Sequence, residues 1–233
     1  MEPEELHRRF AELTTAHLAD ACLRARVPVR CAPMRPVLPG GRLAGRVCPA
    51  RHAGSVDVFL EAYRDASPGD VLVVDNGGRL DEACVGDLAV LEARAAGLAG
   101  VVIWGLHRDT AEVQAIGLPV FSLGALPTGP QRLGPRPAGA LESAGVGEWT
   151  VTRADLVLAD EDGVLFLPAD RAGELFALAE TIRDTERRQA DLIRSGVTLR
   201  DQLRFEDFLD RRRHTPSLTF RDYLRSIGGA IEE

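Results

Sequence analysis

The sequence lacks long apolar segments, clustered cysteines and a net positive charge. No run of 18 apolar residues occurs, and glycines interrupt even the apolar stretch from Ala95 to Leu106, which argues against a membrane-spanning helix. The charged start, Met1 to Phe10, also lacks the apolar centre of a secretion signal. We therefore expect a cytoplasmic protein without a membrane partner.

The cysteines and the charge balance exclude further classes. Cys22, Cys31, Cys48 and Cys84 show no Cys-x-x-Cys spacing, so reduced thiols fit better than disulfides or a zinc cluster. A formal charge of −7 gives no general attraction to phosphate backbones. The basic run 210–214 fits a solvated helix end as well as a binding patch. We expect no direct nucleic-acid partner.

What remains is a globular chain of 233 residues, 45% hydrophobic and 27% charged, sufficient for one large domain or two small ones. Hydrophobic spacing predicts two short helices within residues 2–26 and β-type segments between 27 and 54. A helix over 56–66 and a strand at Val71–Asp75 follow.

The middle of the chain alternates strands with helices, which predicts a parallel or mixed sheet with helices on its face. Ligands of such sheets bind at the carboxyl ends of the strands. The predicted elements are a glycine-containing loop (76–86), a helix (87–97), a strand (100–105), a charged turn, a helix (110–117) and a strand (118–124).

The C-terminal part begins with a segment rich in proline and glycine, 127–147, which we interpret as a surface excursion. Residues 155–168 predict a β-hairpin, and Pro168 starts a long helix to about Ser195. Shorter helices are predicted over 198–212 and 219–228, each with a threonine three residues before an aspartate as a cap.

Two groups of residues lie at predicted strand ends, where ligands of such sheets bind: the loop around Gly86 and the Arg108-Asp109 pair. The alternative for the Arg-Asp pair is a solvated turn.

Asp87, twenty intervening residues, Arg108-Asp109, and then Glu112 three residues after Asp109 form a pattern that resembles the signature of the RraA-like family. This family includes class II pyruvate aldolases acting on 4-hydroxy-4-methyl-2-oxoglutarate. Further blocks resemble the family in order over about residues 13–185, among them "TTAHLADAC", "PGDVLVVDNGG", "LPVFSLG" and "ADLVLADEDGVLFLP".

The resemblance implies an α/β fold, the swivelling β/β/α sandwich with a mixed sheet. It would occupy residues 1–185, followed by a C-terminal helical extension, 186–233, that packs on the same or a neighbouring subunit. A homotrimer or a hexamer is implied, with the site near a subunit boundary. Apolar positions of the extension predict packing against another subunit or the site: Leu203, Phe205, Phe208, Leu209, Phe220 and Leu224.

The implied activity is metal-dependent cleavage of a 4-hydroxy-2-oxo acid to pyruvate through an enolate, with oxaloacetate decarboxylation as a side reaction. Arg108, a planar bidentate donor that suits a carboxylate, would hold the 2-oxo acid. The backbone N–H groups of Gly86, Asp87 and Leu88, at a helix start, would add an anion site. Asp87 would orient Arg108 and act as a general base through water. Asp109 would bind Mg²⁺ or Mn²⁺, and Glu112 would face the water shell of the metal.

Alternatives stay open for several of these residues. Asp87 is also a candidate helix N-cap, and Glu112 a surface charge. Trp104 and His107 depart from the family pattern beside the proposed site, and His107 either contacts substrate or fills space. A non-catalytic regulator that binds and inhibits RNase E is the competing function, but retention of Asp87, Arg108 and Asp109 favours the enzyme.

Overall fold

The computed structural model describes residues 1–228, and its core is a mixed sheet of eight strands. Two small two-stranded sheets accompany it. The strands are β1 (Arg30–Ala32), β2 (Arg35–Pro36), β3 (Leu43–Arg51), β4 (Val71–Asp75), β5 (Ala83–Val85), β6 (Gly100–Trp104), β7 (Leu106–His107), β8 (Val120–Ser122), β9 (Ser143–Val146), β10 (Trp149–Thr152), β11 (Asp155–Asp160) and β12 (Gly163–Pro168).

Helices cover the outside of the sheet, and three of them follow it at the C-terminus. None of the helices within residues 1–228 is long and apolar enough to cross a bilayer. Their bounds are α1 (Pro3–Ala11), α2 (Thr15–Arg24), α3 (Asp57–Asp65), α4 (Asp87–Ala95), α5 (Thr110–Ile116), α6 (Ala172–Arg194), α7 (Leu199–Gln202), α8 (Phe205–His214) and α9 (Phe220–Ile227), with a 3₁₀ turn at Ala169–Arg171.

The large sheet curls until its two edges approach each other. Its order is β1-β12-β11-β3-β4-β6-β8-β2, with β3, β4, β6 and β8 parallel and the outer strands antiparallel. β1 and β2 form opposite edges although only Pro33 and Met34 separate them in sequence. The short connection therefore requires the curl.

Alternation along the strands divides the core into an inner and an outer part. In β4, Val71 and Val73 face the inside of the curl, where the β9–β10 hairpin covers them, while Leu72 and Val74 face α3, α4 and α5. The other half of the outer surface packs against α1, α2 and α6. The first four residues of β4 and the first four residues of β6 are buried on both faces of the sheet. Such burial is typical of parallel strands.

The predicted α/β class with a mixed sheet and C-terminal helices is confirmed. The predicted hairpin forms as the antiparallel pair β11–β12, and Thr14 caps α2 in a capping box with His17. Thr198 and Thr219 cap α7 and α9 as expected.

Several element predictions were wrong in detail. The predicted loop 76–86 contains β5, which pairs with β7. The helix predicted over 198–212 breaks into α7 and α8 at Arg204, whose φ of 49° is incompatible with a continuing helix. The long helix begins at Ala172 after a 3₁₀ turn, not at Pro168.

The C-terminal helices form a small core of their own. Phe208 and Tyr223 are buried there at a ring-centroid distance of 5.4 Å. Phe208 is one of the six apolar positions singled out from the sequence, and the other five belong to the same core. The boundary predicted at 185/186 lies within α6, a continuous helix whose buried positions end at Ile182. Residues 229–233 of the predicted extension lie outside the described residues.

The separate C-terminal core predicts independent local unfolding. Phe208→Ala removes the ring at its centre, and burial of this kind is worth about 3–5 kcal/mol. We expect amides of residues 199–227 to lose hydrogen-exchange protection while amides of the large sheet keep theirs. Leu199→Ala, at a side chain 41% exposed, is the control. Equal loss of protection in the sheet would contradict a separate core.

Candidate active site

The pairing of β5 with β7 brings the two predicted groups of site residues together. Val85 lies opposite His107, and the Arg108 N–H donates to the Val85 carbonyl at 2.9 Å. Gly86 therefore begins α4 directly beside the turn that carries Arg108 and Asp109. Sequence analysis treated this stretch as a loop and gave no reason for the contact.

The N-terminus of α4 presents backbone N–H groups at this point. Gly86 is the N-cap residue, and no side chain caps the helix. Asp87 is the first helical residue, so its predicted alternative as N-cap was wrong. The first N–H groups of a helix have no intrahelical acceptor and attract anions. The turn after β5 thus presents N–H donors of the kind that bind anions.

Glycine at position 86 permits the side chains of Arg108 and Asp109 to approach the start of α4 closely. A Cβ built there would collide with the Asp109 carboxylate at Oδ2 and lie 3.2 Å from Arg108 Nε. Only hydrogen at this position leaves room for both side chains.

The Arg-Asp pair is held in an unusual backbone conformation. Asp109 has φ 59° and ψ 43°, the left-handed region, at the N-cap of α5. A non-glycine residue there costs on the order of 1 kcal/mol, and such strain clusters at functional sites. Arg108 Nε lies 3.3 Å from Asp109 Oδ2, with 47% and 36% of the two side chains exposed. The pair forms an accessible cation next to an accessible carboxylate.

Arg108 and the start of α4 line a single cleft of about 420 Å³. All four residues predicted to bind substrate border it: Gly86, Asp87, Leu88 and Arg108. The opposite wall includes His52, Ser55, Val56, Pro130 and Leu133.

Two predicted relationships are not seen. No hydrogen bond or ion pair joins Asp87 to Arg108 within residues 1–228, because Arg108 Nε turns to Asp109 instead. Glu112 is exposed on the first turn of α5 and does not border the cleft. Asp87 itself is half-buried in the cleft wall.

His107 and Trp104 do not border the cleft. His107 is buried, with Nδ1 2.8 Å from Ser122 Oγ and Nε2 3.0 Å from Thr110 Oγ1. Burial lowers the pKa of its imidazole. The space-filling interpretation therefore fits the geometry, and the ring also ties the Arg-Asp turn to β8 and α5.

Sequence analysis missed a buried polar network behind the cleft. His52 Nδ1 lies 2.9 Å from Asn76 Oδ1, and Arg132 Nη2 donates to the same oxygen at 3.2 Å. Glu82, fully buried, accepts from Arg132 Nε at 3.2 Å. The segment 127–147, interpreted as a surface excursion, supplies Arg132 and is thus part of the site. Isolated polar residues in four different segments gave no pattern to find.

Cys84 is the remaining reactive group in the cleft wall. Burial raises the pKa of its thiol to about 12. Because the thiolate is the nucleophile, this shift argues against a nucleophilic role for Cys84.

The contact between Gly86 and Asp109 can be tested by stability. We expect Gly86→Ala to lower the free energy of unfolding by about 1–3 kcal/mol, since an overpacked methyl has to displace Asp109. In an Asp109→Gly background the same change should cost much less, as measured by urea denaturation. Gly173→Ala, where a Cβ meets nothing within 4 Å, is the control and should not destabilise. An equal cost of Gly86→Ala in both backgrounds would disprove the contact.

The chain is similar in sequence to known proteins. The chain is 28% identical over 201 residues to the protein DlpA of Legionella pneumophila, covering 83% of this chain and 32% of that protein. It thus spans about a third of that relative. A 4-hydroxy-4-methyl-2-oxoglutarate aldolase of Thermus thermophilus is 34% identical over 133 residues, 57% of this chain and 79% of that protein.

The fold has relatives among solved structures. Streptomyces coelicolor RraAS2, described as an unusual member of the RNase ES inhibitor RraA protein family, matches with a TM-score of 0.69. Its identity is 25%, over 78% of this chain and 94% of that one. A family model described as RraA-like, Aldolase/RraA, matches residues 15–166. This protein therefore belongs to the RraA-like family.

Proposed function

We propose that the protein is a divalent-metal-dependent aldolase that cleaves a 4-hydroxy-2-oxo acid, such as 4-hydroxy-4-methyl-2-oxoglutarate, to pyruvate. Oxaloacetate decarboxylation is the expected side activity, because both reactions pass through the pyruvate enolate. The observation that carries the proposal is that Arg108 and the free N–H groups of α4 border one cleft. The Asp109 carboxylate does not border this cleft itself, but it lies against Arg108 and Gly86, which do.

Arg108 and the start of α4 are suited to hold the 2-oxo acid. The guanidinium can donate two parallel hydrogen bonds to a carboxylate, and the helix N-terminus adds N–H donors beside it. The adjacent keto oxygen of a 2-oxo acid then lies within reach of the same donors. Negative charge that develops on this oxygen in the enolate is stabilised where it forms.

Asp109 fits a hydrated Mg²⁺ or Mn²⁺ better than a metal enclosed by protein. Residues 1–228 contain no group of three His, Cys, Asp or Glu side chains that could hold a metal alone. Mg²⁺ usually keeps several waters and takes one or two carboxylates, so an accessible Asp109 suffices, with Glu112 one turn along α5. When bound, the metal supplies Lewis-acid polarisation of the keto oxygen.

The composition supports the metal-dependent class of aldolase. The chain has 28 lysine and arginine residues in total, and all of them are arginines. The alternative route to a stabilised pyruvate carbanion is a Schiff base between the keto carbon and a lysine amine. This chain has no lysine side chain for that chemistry.

Asp87 is the carboxylate that we propose for proton transfer. It borders the cleft, is half-buried, and makes no hydrogen bond or ion pair within the described residues. A water held between Asp87 and the substrate would connect the carboxylate with the reacting carbon.

We also infer that several copies of the chain assemble, as a homotrimer or a hexamer. Apolar side chains on α3 and α4 are half or more exposed beside the cleft, among them Leu60, Leu88 and Leu91. An exposed apolar patch of this kind is typical of a subunit contact. Light scattering of the purified protein tests this inference.

The test of function is pyruvate release from a panel of 4-hydroxy-2-oxo acids with Mg²⁺ or Mn²⁺, before and after chelation. The competing function, a regulator that inhibits RNase E, predicts ribonuclease inhibition without metal-dependent pyruvate release. Release that requires the metal would support the aldolase. No release from any substrate of the panel would overturn it.

Asp109→Asn tests the metal ligand. Asparagine tolerates the left-handed backbone and keeps the shape, so the fold should persist. Loss of the ligand charge should weaken Mn²⁺ binding, measured by electron paramagnetic resonance, by about tenfold or more. Metal-dependent pyruvate release should fall in parallel. Asp191→Asn, exposed on α6, is the control. Full activity of chelated wild-type protein would contradict the assignment.

Arg108→Lys separates binding from catalysis. Lysine keeps the charge but loses the bidentate geometry, which should raise KM. If the guanidinium also meets charge on the enolate, kcat should fall by ~10²-fold, as for a lost oxyanion donor. We expect both effects, because the carboxylate and keto oxygen are adjacent. Arg200→Lys is the exposed control. Wild-type values of both constants would remove Arg108 from the site.

A further inference from the structure

His52 is a cleft residue with no role in the function proposed above. It follows β3, and its ring stacks on Phe59 at a centroid distance of 5.2 Å and an angle of 16°. Only 6% of the residue is exposed, yet it borders the same cleft as Asp87 and Arg108. Its Nε2 has no hydrogen-bond partner within residues 1–228, whereas Nδ1 is bonded.

The neighbours of His52 determine which ring nitrogen carries the hydrogen. Arg132 can only donate, so the Asn76 atom that it contacts must be the amide oxygen. The same oxygen faces His52 Nδ1, which must therefore donate as N–H. In the neutral ring, Nε2 then keeps its lone pair and is a proton acceptor.

This orientation is fixed by an ion pair between a buried carboxylate and the partly exposed Arg132. Glu82 is fully buried, and its two oxygens accept from Arg132 Nε and from the Gln131 N–H at 3.2 and 3.1 Å. Asn76 is 1% exposed and its Nδ2 has no partner in the described part of the chain. The Asn76 amide is thus held by contacts to its oxygen, which faces both His52 and Arg132.

We propose that His52 Nε2 accepts the proton of the substrate 4-hydroxyl group as the C3–C4 bond breaks. The O–H electron pair becomes the new carbonyl bond of the departing fragment, and the C3–C4 pair becomes the pyruvate enolate. The enolate takes a proton at C3 from water beside Asp87, and His52 returns its proton to solvent, so protons balance. This inference rests on the proposed aldolase function.

The electrostatic surroundings keep the imidazole neutral. Burial lowers the pKa of His52 below its usual 6.5, opposed by the Asn76 hydrogen bond and the Glu82 and Asp57 charges and assisted by Arg132. The groups across the cleft are Asp87, Arg108 and Cys84. His52 is therefore the basic form at pH 7.

Oxaloacetate decarboxylation separates this role from a structural one. That reaction reaches the same enolate without a hydroxyl proton to remove. We expect His52→Gln to lower kcat for aldol cleavage by ~10²-fold, with decarboxylation within about threefold of wild type. His214→Gln, exposed on α8, is the control. An equal loss of both activities in folded His52→Gln, or no loss, would overturn the inference.

The pH profile gives a second, independent test. Wild-type aldol cleavage should lose activity on acidification below pH 6.5, as His52 becomes protonated. Asn76→Asp places a carboxylate against Nδ1, which raises the pKa of His52 and should move this limb to higher pH. If folded Asn76→Asp loses activity at the same acidic pH as wild type, the inference is overturned. This test does not depend on whether His52→Gln folds.

Nitrogen chemical shifts of the wild-type protein test the premise without activity. We expect a neutral His52 with the hydrogen on Nδ1 at pH 7, and the opposite tautomer would overturn the inference. Absence of pyruvate release from every substrate by wild-type protein would instead overturn the proposed function. The two failures are therefore distinguishable.

Discussion

The hydrogen bond from the Arg108 N–H to the Val85 carbonyl joins the two segments on which the site depends. It extends the short β5–β7 pair past the ends of both strands. As a result, a helix N-terminus and a charged turn, separated by twenty residues in sequence, lie side by side. β6 precedes β7 with only Gly105 between them, so the buried parallel sheet determines where this contact forms. The large core thus orients a small exposed site.

Close packing at this contact requires a strained backbone conformation at one residue and the absence of a side chain at another. Asp109 adopts a left-handed conformation, and residue 86 has no side chain to bury. Neither feature stabilises the fold, and the left-handed conformation of Asp109 costs on the order of 1 kcal/mol. They persist because the strands and helices on either side are well packed. Strain of this kind is expected where the position of a functional group matters more than local stability.

Sequence reasoning located the site because its residues lie at the ends of long periodic segments. β4, α4 and β6 are predicted by hydrophobic spacing, and the residues that follow a parallel strand lie at one edge of the sheet. β5 and β7 were missed because two or three residues show no periodicity. Their pairing, and the left-handed Asp109, follow from tertiary contacts that propensity does not encode. Sequence reasoning likewise paired Asp87 with Arg108, and only the structure shows that no hydrogen bond or ion pair joins them within residues 1–228.

The buried network escaped prediction for a related reason. His52, Asn76, Glu82 and Arg132 come from four segments, and each alone has the appearance of an ordinary loop residue. Only His52 of this network borders the cleft, and it forms part of a second wall that differs from the first in its electrostatics. Asp87 is half-buried and unpaired, whereas His52 is buried, neutral and held in one tautomer. A cleavage that removes one proton and adds another needs two such groups, and a decarboxylation needs one. Under the proposed function, the two walls would let one enolate site serve both reactions with different demands on its residues.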